Sequence, residues 1–96
     1  MRPEPVSETT FGATLQALMD TNNMTIGDTA SLCRCSKHTI HYLLGGGSAG
    51  LRVTRSIVET FGLEKDPKML RRIFIGYLLQ KFPAEWLAAA DLVLKE

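Results

Sequence analysis

Residues 33–44 read CRCSKHTIHYLL, a stretch that brings two cysteines and two histidines close together along the chain. These residues are Cys33, Cys35, His38 and His41, and side chains of both types bind zinc. Structural zinc sites usually separate paired cysteines by two to four residues and paired histidines by three to five. Here one residue separates the cysteines and two separate the histidines. The spacing does not favour a metal site, and we predict neither a metal nor another cofactor.

The helical pattern of the same stretch also directs the two cysteine and two histidine side chains away from a common point. Ser36 is a good helix cap and predicts a short helix over residues 37–44. At about 100° per residue, both histidines point away from the apolar side that Ile40 and Leu43 form. The small, apolar cysteines are expected to face that buried side. No nucleophile, base and orienting group occur together, so we do not predict an enzyme.

Two helices joined by a tight turn fit this stretch better. Ala30 supplies a small residue where the two helices approach each other closely. Cys33 and Cys35 flank the turn with apolar groups, and Ile40 and Leu43 hold the second helix against the core. The cap at the start of the second helix leaves its N-terminal end facing outward. This pattern is typical of a helix-turn-helix, which places its second helix in the major groove of DNA.

Helical signals precede this stretch. Four apolar residues form one stripe of an amphipathic helix: Phe11, Leu15, Leu18 and Met19. Thr9 or Thr10 caps its start, and Asn22-Asn23 ends it. Thr25 and Asp28 resemble a capping box that begins a second helix, which runs to about Cys33.

Helical signals also follow it. Gly45-Gly46-Gly47 ends the third helix. A fourth helix places four residues on one face and ends at Gly62: Leu51, Thr54, Val58 and Phe61. Asp66 and Pro67 begin a fifth helix that runs to about Phe82, and a last helix is predicted over residues 84–94. With no alternating apolar run, the chain is predicted to be all-α.

Composition sets the broad class. Ninety-six residues with a net charge of +1 predict one small domain, residues 1–96. Nothing at the N-terminus resembles a signal peptide, and no apolar run is long enough for a membrane span. Two cysteines at this spacing do not form a disulfide framework. We therefore expect a cytoplasmic protein with reduced thiols and no membrane partner.

The distribution of charge is more informative than its sum. Residues 29–58 contain no aspartate or glutamate. The same window holds four permanently charged bases, Arg34, Lys37, Arg52 and Arg55, together with both histidines. Chance clustering in a short chain is one explanation, and a local basic surface that faces a polyanion is the other.

Residues 11–63 resemble the phage Cro/repressor-type helix-turn-helix domain, also called the xenobiotic-response-element type. The resemblance rests on Leu15 and Leu18, on residues 25–30 (TIGDTA), on residues 35–40 (CSKHTI), on the glycine-rich exit, and on residues 57–63. It covers just over half of the chain. It implies a lambda-repressor-like bundle of four to five helices over residues 9–63, with a C-terminal helical extension over residues 64–96.

The resemblance also implies a sequence-specific, dimeric, double-stranded-DNA-binding transcription regulator, namely a repressor. The predicted DNA-binding residues are Arg34, Ser36, Lys37, His38, Thr39, His41, Tyr42, Arg52 and Arg55. Those on the third helix would reach base edges or nearby phosphates, and the arginines would neutralise phosphates. For Tyr42 the alternative is a ring that covers the core edge, and for the histidines it is a solvated helix face.

Among the departures from the family pattern, two bear most on the turn and on DNA binding. The family usually has glycine in the turn, where this chain has Arg34, and often has glutamine where this chain has Ile26. Arg34 is expected to adopt a left-handed conformation at a small cost, or the turn is reshaped. The missing glutamine removes a contact that helps to fix the DNA backbone in such domains.

The C-terminal third carries more apolar surface than the core needs. Its apolar residues include Met69, Leu70, Ile73, Phe74, Tyr77, Leu78, Phe82, Trp86 and Leu87. One explanation is that the last helices wrap the small domain. We favour a homodimer built from helices five and six, which would bind an inverted-repeat operator. The alternative function is an antitoxin-like or other protein-interaction module, with a toxin or similar protein as its partner.

Overall fold

The computed structural model describes residues 10–90, in which all regular structure is helical. The helices are α1 (Phe11–Thr21), α2 (Ile26–Leu32), α3 (Lys37–Leu44), α4 (Leu51–Thr60), α5 (Pro67–Leu79) and α6 (Ala84–Ala89), with a 3-10 turn at Leu63–Lys65. The all-α prediction is thereby confirmed for this part of the chain. Within it, no helix is long and apolar enough to cross a membrane.

Side-chain caps begin four of the helices. The side chains of Thr10, Thr25, Ser36 and Asp66 each accept a hydrogen bond from a backbone N–H in the first turn. Thr25 and Asp28 form a full capping box, because Asp28 also accepts from the backbone N–H of Thr25 at 3.1 Å. These local signals are legible in the sequence since each joins residues only three positions apart.

The first three helices end in the same way. In each, a residue with positive φ donates its N–H to the carbonyl three residues before it, and the next residue donates to the carbonyl five residues before it. This is the Schellman motif, in which glycine costs least at the left-handed position. That position is held by Asn23 in α1 (φ 53°), by Arg34 in α2 (φ 56°) and by Gly46 in α3 (φ 100°).

The core lies where α1 packs against α3 and α5, with α2, α4 and the 3-10 turn closing it. Six of its large side chains are fully buried: Leu15, Ile40, Leu43, Ile57, Leu63 and Ile73. A small second cluster joins α6 to α5, where Leu87 packs on Ile75, Leu78 and Leu79. Because α5 contributes to both clusters, it is the helix that ties the C-terminal part to the rest.

Two glycines allow the close packing of α1. A β-carbon on Gly12 would lie 2.4 Å from the carbonyl oxygen of Leu43, and one on Gly76 would lie 2.7 Å from the backbone nitrogen of Phe11. Both neighbours are backbone atoms, which cannot move aside cheaply. The start of α1 is therefore held between the end of α3 and the middle of α5.

Two predicted features differ from the structure, and others lie outside the described residues. Leu51 is 64% exposed, because the buried side of α4 is centred on Ile57 and includes Val53 rather than Leu51. The fifth helix ends at Leu79, three residues earlier than predicted, since the chain turns before Pro83. The last helix ends at Ala89 within the described part; its predicted end at residue 94, the cap at Thr9 and the N-terminal arm lie outside residues 10–90.

Candidate nucleic-acid interface

A short, fully bonded connection joins α2 to α3. Arg34 donates its backbone N–H to Ser31 at 3.3 Å and Cys35 donates to Ala30 at 3.0 Å. Ser36 then caps α3 by accepting from the N–H of Thr39 at 3.1 Å. These bonds fix the angle between the two helices, so the direction of α3 is set by local geometry as well as by the core.

Three ionisable side chains form the outer face of α3. Lys37, His38 and His41 are exposed, while Ile40 and Leu43 on the opposite side are buried. Within residues 10–90, these three side chains make no hydrogen bond or ion pair. The expectation that the histidines point away from the apolar side is thus confirmed, and all three groups are available to an external partner.

The hydroxyl groups of Ser36 and Thr39 are already engaged with each other. Their oxygens lie 3.0 Å apart, and Ser36 also accepts from the backbone of Thr39. Ser36 is exposed and Thr39 is half-buried. A phosphate contact would therefore come more readily from Ser36, whereas Thr39 serves first as part of the cap.

Tyr42 packs on the loop that follows α3 and is also exposed to solvent. A β-carbon on Gly47 would lie 2.3 Å from the Cε2 atom of Tyr42, so the ring lies directly on the backbone of the following loop. The side chain is nevertheless 58% exposed. Tyr42 covers part of the loop and still offers one side to solvent.

The arginines predicted to meet phosphates are also on the surface. Arg34 is exposed in the turn between α2 and α3, and Arg52 and Arg55 are exposed on α4. Leu51, Ser56 and Glu59 line the same shallow depression as the two α4 arginines. Glu59 follows directly after residues 29–58, the acid-free window, so the basic character of α4 is confined to its first two turns.

The cysteines lie on the inner side of the turn, as their apolar character predicts. Cys33 is buried and its Sγ lies 3.6 Å from the hydroxyl oxygen of Thr60, to which it donates, while Cys35 is half-buried. Burial raises the pKa of both thiols, which keeps them in the neutral form that neither binds metals nor attacks substrates well. Within residues 10–90, no three His, Cys, Asp or Glu side chains converge on a common point.

Ile26 has a structural role at the position where the resembled family often carries glutamine. It is half-buried and packs against the core at the start of α2.

The neighbouring Gly27 lies under the end of the Lys37 side chain, since a β-carbon there would lie 3.3 Å from Cε. The backbone N–H of Thr25 lowers the pKa of the Asp28 carboxyl by donating to it. The start of α2 is thus well capped, and Lys37 reaches across it.

Local sequence patterns do not indicate the role of Gln80, which contacts the loop between α3 and α4. Gln80, which follows α5, accepts a hydrogen bond from the backbone N–H of Ala49 at 2.7 Å and donates one to the carbonyl of the same residue at 3.3 Å. Ala49 lies in the loop between α3 and α4 and is 3% exposed. A pairing of residues 31 positions apart depends on tertiary packing, which no local pattern encodes.

Comparisons of the chain with models of protein families, with curated proteins and with solved structures find no match. The site must therefore be judged on its own geometry.

Proposed function

We propose that this protein is a helix-turn-helix transcription regulator of the Cro/repressor type that binds double-stranded DNA as a homodimer. The observation that carries the proposal is the outer face of α3. It combines Lys37, His38 and His41, all exposed and without a hydrogen-bond or ion-pair partner in the part of the chain that the structure describes, on a helix whose inner face is buried. An α-helix fits the major groove of B-form DNA, where side chains of this kind read base edges.

The distribution of charged residues also supports DNA as the partner. Residues 29–58 contain no acidic residue, and the exposed arginines precede α3 in the chain (Arg34) and follow it (Arg52 and Arg55). Contacts of arginine and lysine with phosphates supply most of the non-specific affinity for DNA and position the reading helix. Arg34, Arg52 and Arg55 are proposed as phosphate contacts, with Ser36, Thr39 and Tyr42 as supporting contacts.

The surface of α5 supports a dimer. Its inner side faces α1 through Ile73 and Gly76, and a second side faces α6 through Ile75. A third side remains apolar, because Phe74 is 52% exposed and lies in an apolar groove along the helix. An exposed apolar surface of this kind often marks a protein interface, and a second copy of the chain would cover it.

Binding to DNA duplexes over a series of salt concentrations tests the proposal. We expect log K to fall steeply with log salt, because each phosphate contact releases counterions and contributes about 0.9 to the slope. In the proposed homodimer, Lys37→Ala combined with Arg55→Ala removes four charges, so the slope should become shallower by up to about 3.6. The matched control, Lys65→Ala with Lys68→Ala, removes the same charge outside the acid-free window and should leave the slope unchanged. No binding to any duplex at low salt would rule out the function.

A protein-interaction module, such as an antitoxin, is the second candidate. It is favoured by three exposed aromatic side chains, Phe74 on α5, Phe82 before α6 and Trp86 on α6, which a protein partner would bury. The duplex experiment separates the two candidates, since an interaction module that has lost DNA binding gives no salt-dependent complex with any duplex.

A further inference from the structure

The loop between α3 and α4 needs an external support. Residues 45–50 read GGGSAG, so four of six positions are glycine. Gly46 has a φ of 100°, and residues 47–50 form no helix or turn. Such a segment has many accessible conformations and gains little order from its own side chains. Something else must hold it in one position.

Gln80 supplies that support through both backbone groups of Ala49. Its side-chain oxygen accepts from the Ala49 N–H at 2.7 Å, and its nitrogen donates to the Ala49 carbonyl at 3.3 Å. The nitrogen also donates to the carbonyl of Tyr77 at 3.3 Å, which anchors the amide to the end of α5. Both N–H groups of the amide are therefore used, and its orientation is fixed. Since Ala49 is buried, the loss of these partners would leave backbone groups unpaired away from water.

The loop that Gln80 holds, residues 45–50, lies between the proposed DNA contacts in the chain. Tyr42 covers Gly47 on one side of Ala49, and α4 with Arg52 and Arg55 begins two residues after it. We infer that Gln80 is a positioning residue for DNA binding: it holds the α3–α4 loop so that α3 and the α4 arginines meet one duplex together. This inference rests on the proposed DNA-binding function. It adds a residue outside the helix-turn-helix and links the end of α5 to the reading surface.

Gln80→Met tests the inference, because methionine has nearly the same length and lacks the amide. We expect affinity for DNA to fall roughly fivefold to thirtyfold, which is the range that the loss of one or two hydrogen bonds covers. Amide exchange at Ala49 should be slow in the wild-type chain, although its segment forms no helix, and fast in the variant. The matched control is Gln16→Met, which removes an exposed side-chain bond to Asp20 on α1 and should change neither quantity.

The outcomes are distinguishable. Equal affinity of Gln80→Met and Gln16→Met for DNA would overturn the inference, and so would faster exchange spread evenly over the whole chain, which indicates a general loss of stability. Rapid exchange at Ala49 in the wild-type chain would overturn it without any variant. If the wild-type chain binds no duplex, the DNA-binding function fails and the positioning role fails with it, while the exchange data still report whether Gln80 holds the loop.

Discussion

Arg34 occupies a backbone conformation that is costly for arginine. Its φ of 56° lies in the left-handed region, where the β-carbon of an L-residue crowds the following carbonyl. The equivalent positions at the ends of α1 and α3 are held by Asn23 and Gly46, the two residue types that tolerate this region best. An arginine is kept at such a position at the expense of stability, which favours a role for its exposed side chain.

Replacing Arg34 by glycine should therefore separate stability from binding. We expect Arg34→Gly to raise the free energy of unfolding by about 0.5–1 kcal/mol, because glycine removes the crowding but adds flexibility to the unfolded chain. The same variant should bind every DNA duplex more weakly, since one phosphate contact is lost. Denaturant unfolding and duplex titration measure the two effects.

Asn23→Gly provides the control for that variant. It makes the same change in the same motif, outside the acid-free window, and asparagine already tolerates the conformation. Its effect on stability should be smaller, and its affinity for DNA should equal that of the wild-type chain. If Arg34→Gly also retains full affinity, Arg34 does not contact DNA and the strain has no functional explanation in binding.

At the scale of the elements, the contact of α1 with α5 depends on Gly76. Helix propensity alone would favour alanine at this position. Alanine is better than glycine in a helix by about 1 kcal/mol, but at Gly76 its β-carbon would meet the backbone of Phe11. We expect Gly76→Ala to destabilise the fold by about 1–3 kcal/mol, the usual cost of overpacking. Thermal or denaturant unfolding measures it.

Gly27→Ala is the matched control for the packing of α5. It lies inside α2, and its nearest neighbour would be the flexible end of Lys37 rather than backbone. This variant should be neutral or slightly stabilising. Equal effects of the two substitutions would mean that α1 and α5 can separate without cost, contrary to the packing described for them.

The contrast between local hydrogen bonds and long-range packing explains how much of the fold could be predicted from sequence. The caps at Thr10, Ser36 and Asp66 were predictable because each uses bonds between near neighbours in the chain. The exposure of Leu51 and the pairing of Gln80 with Ala49 depend on which sides of distant helices meet. Periodicity identifies a face but does not fix its centre to within one residue.

The candidate site was predictable to a similar degree. The exposure of His38 and His41 follows from their angular distance from Ile40, and the structure agrees. Their contact with DNA stays a prediction, because exposure leaves a side chain available without naming its partner. The packing of Tyr42 on Gly47 could not be read from the sequence, since it requires the loop after α3 to fold back under the ring.

For the whole molecule, the proposed homodimer would decide how far apart the two α3 helices lie. A single helix-turn-helix reads one half-site, and two half-sites lie about 34 Å apart when they are one DNA turn apart. Two copies that bind one inverted repeat would therefore need to hold their α3 helices about one DNA turn apart, and the apolar surface around Phe74 is the proposed interface that sets this spacing.

Phe74→Glu should abolish this dimer. It places a carboxylate in the apolar groove of α5, so each interface would bury two like charges related by the two-fold axis. Sedimentation equilibrium at micromolar concentration should show a dimer for the wild-type chain and a monomer for the variant. Binding to an inverted repeat should weaken strongly in the variant, while binding to a single half-site should change little. Leu32→Glu is the control for sedimentation, where it should leave the dimer intact, because Leu32 is similarly exposed, at 59% against 52% for Phe74, but lies at the end of α2. A wild-type monomer, or a dimer that tolerates glutamate at position 74, would place the interface elsewhere and leave this aromatic surface to a different protein partner.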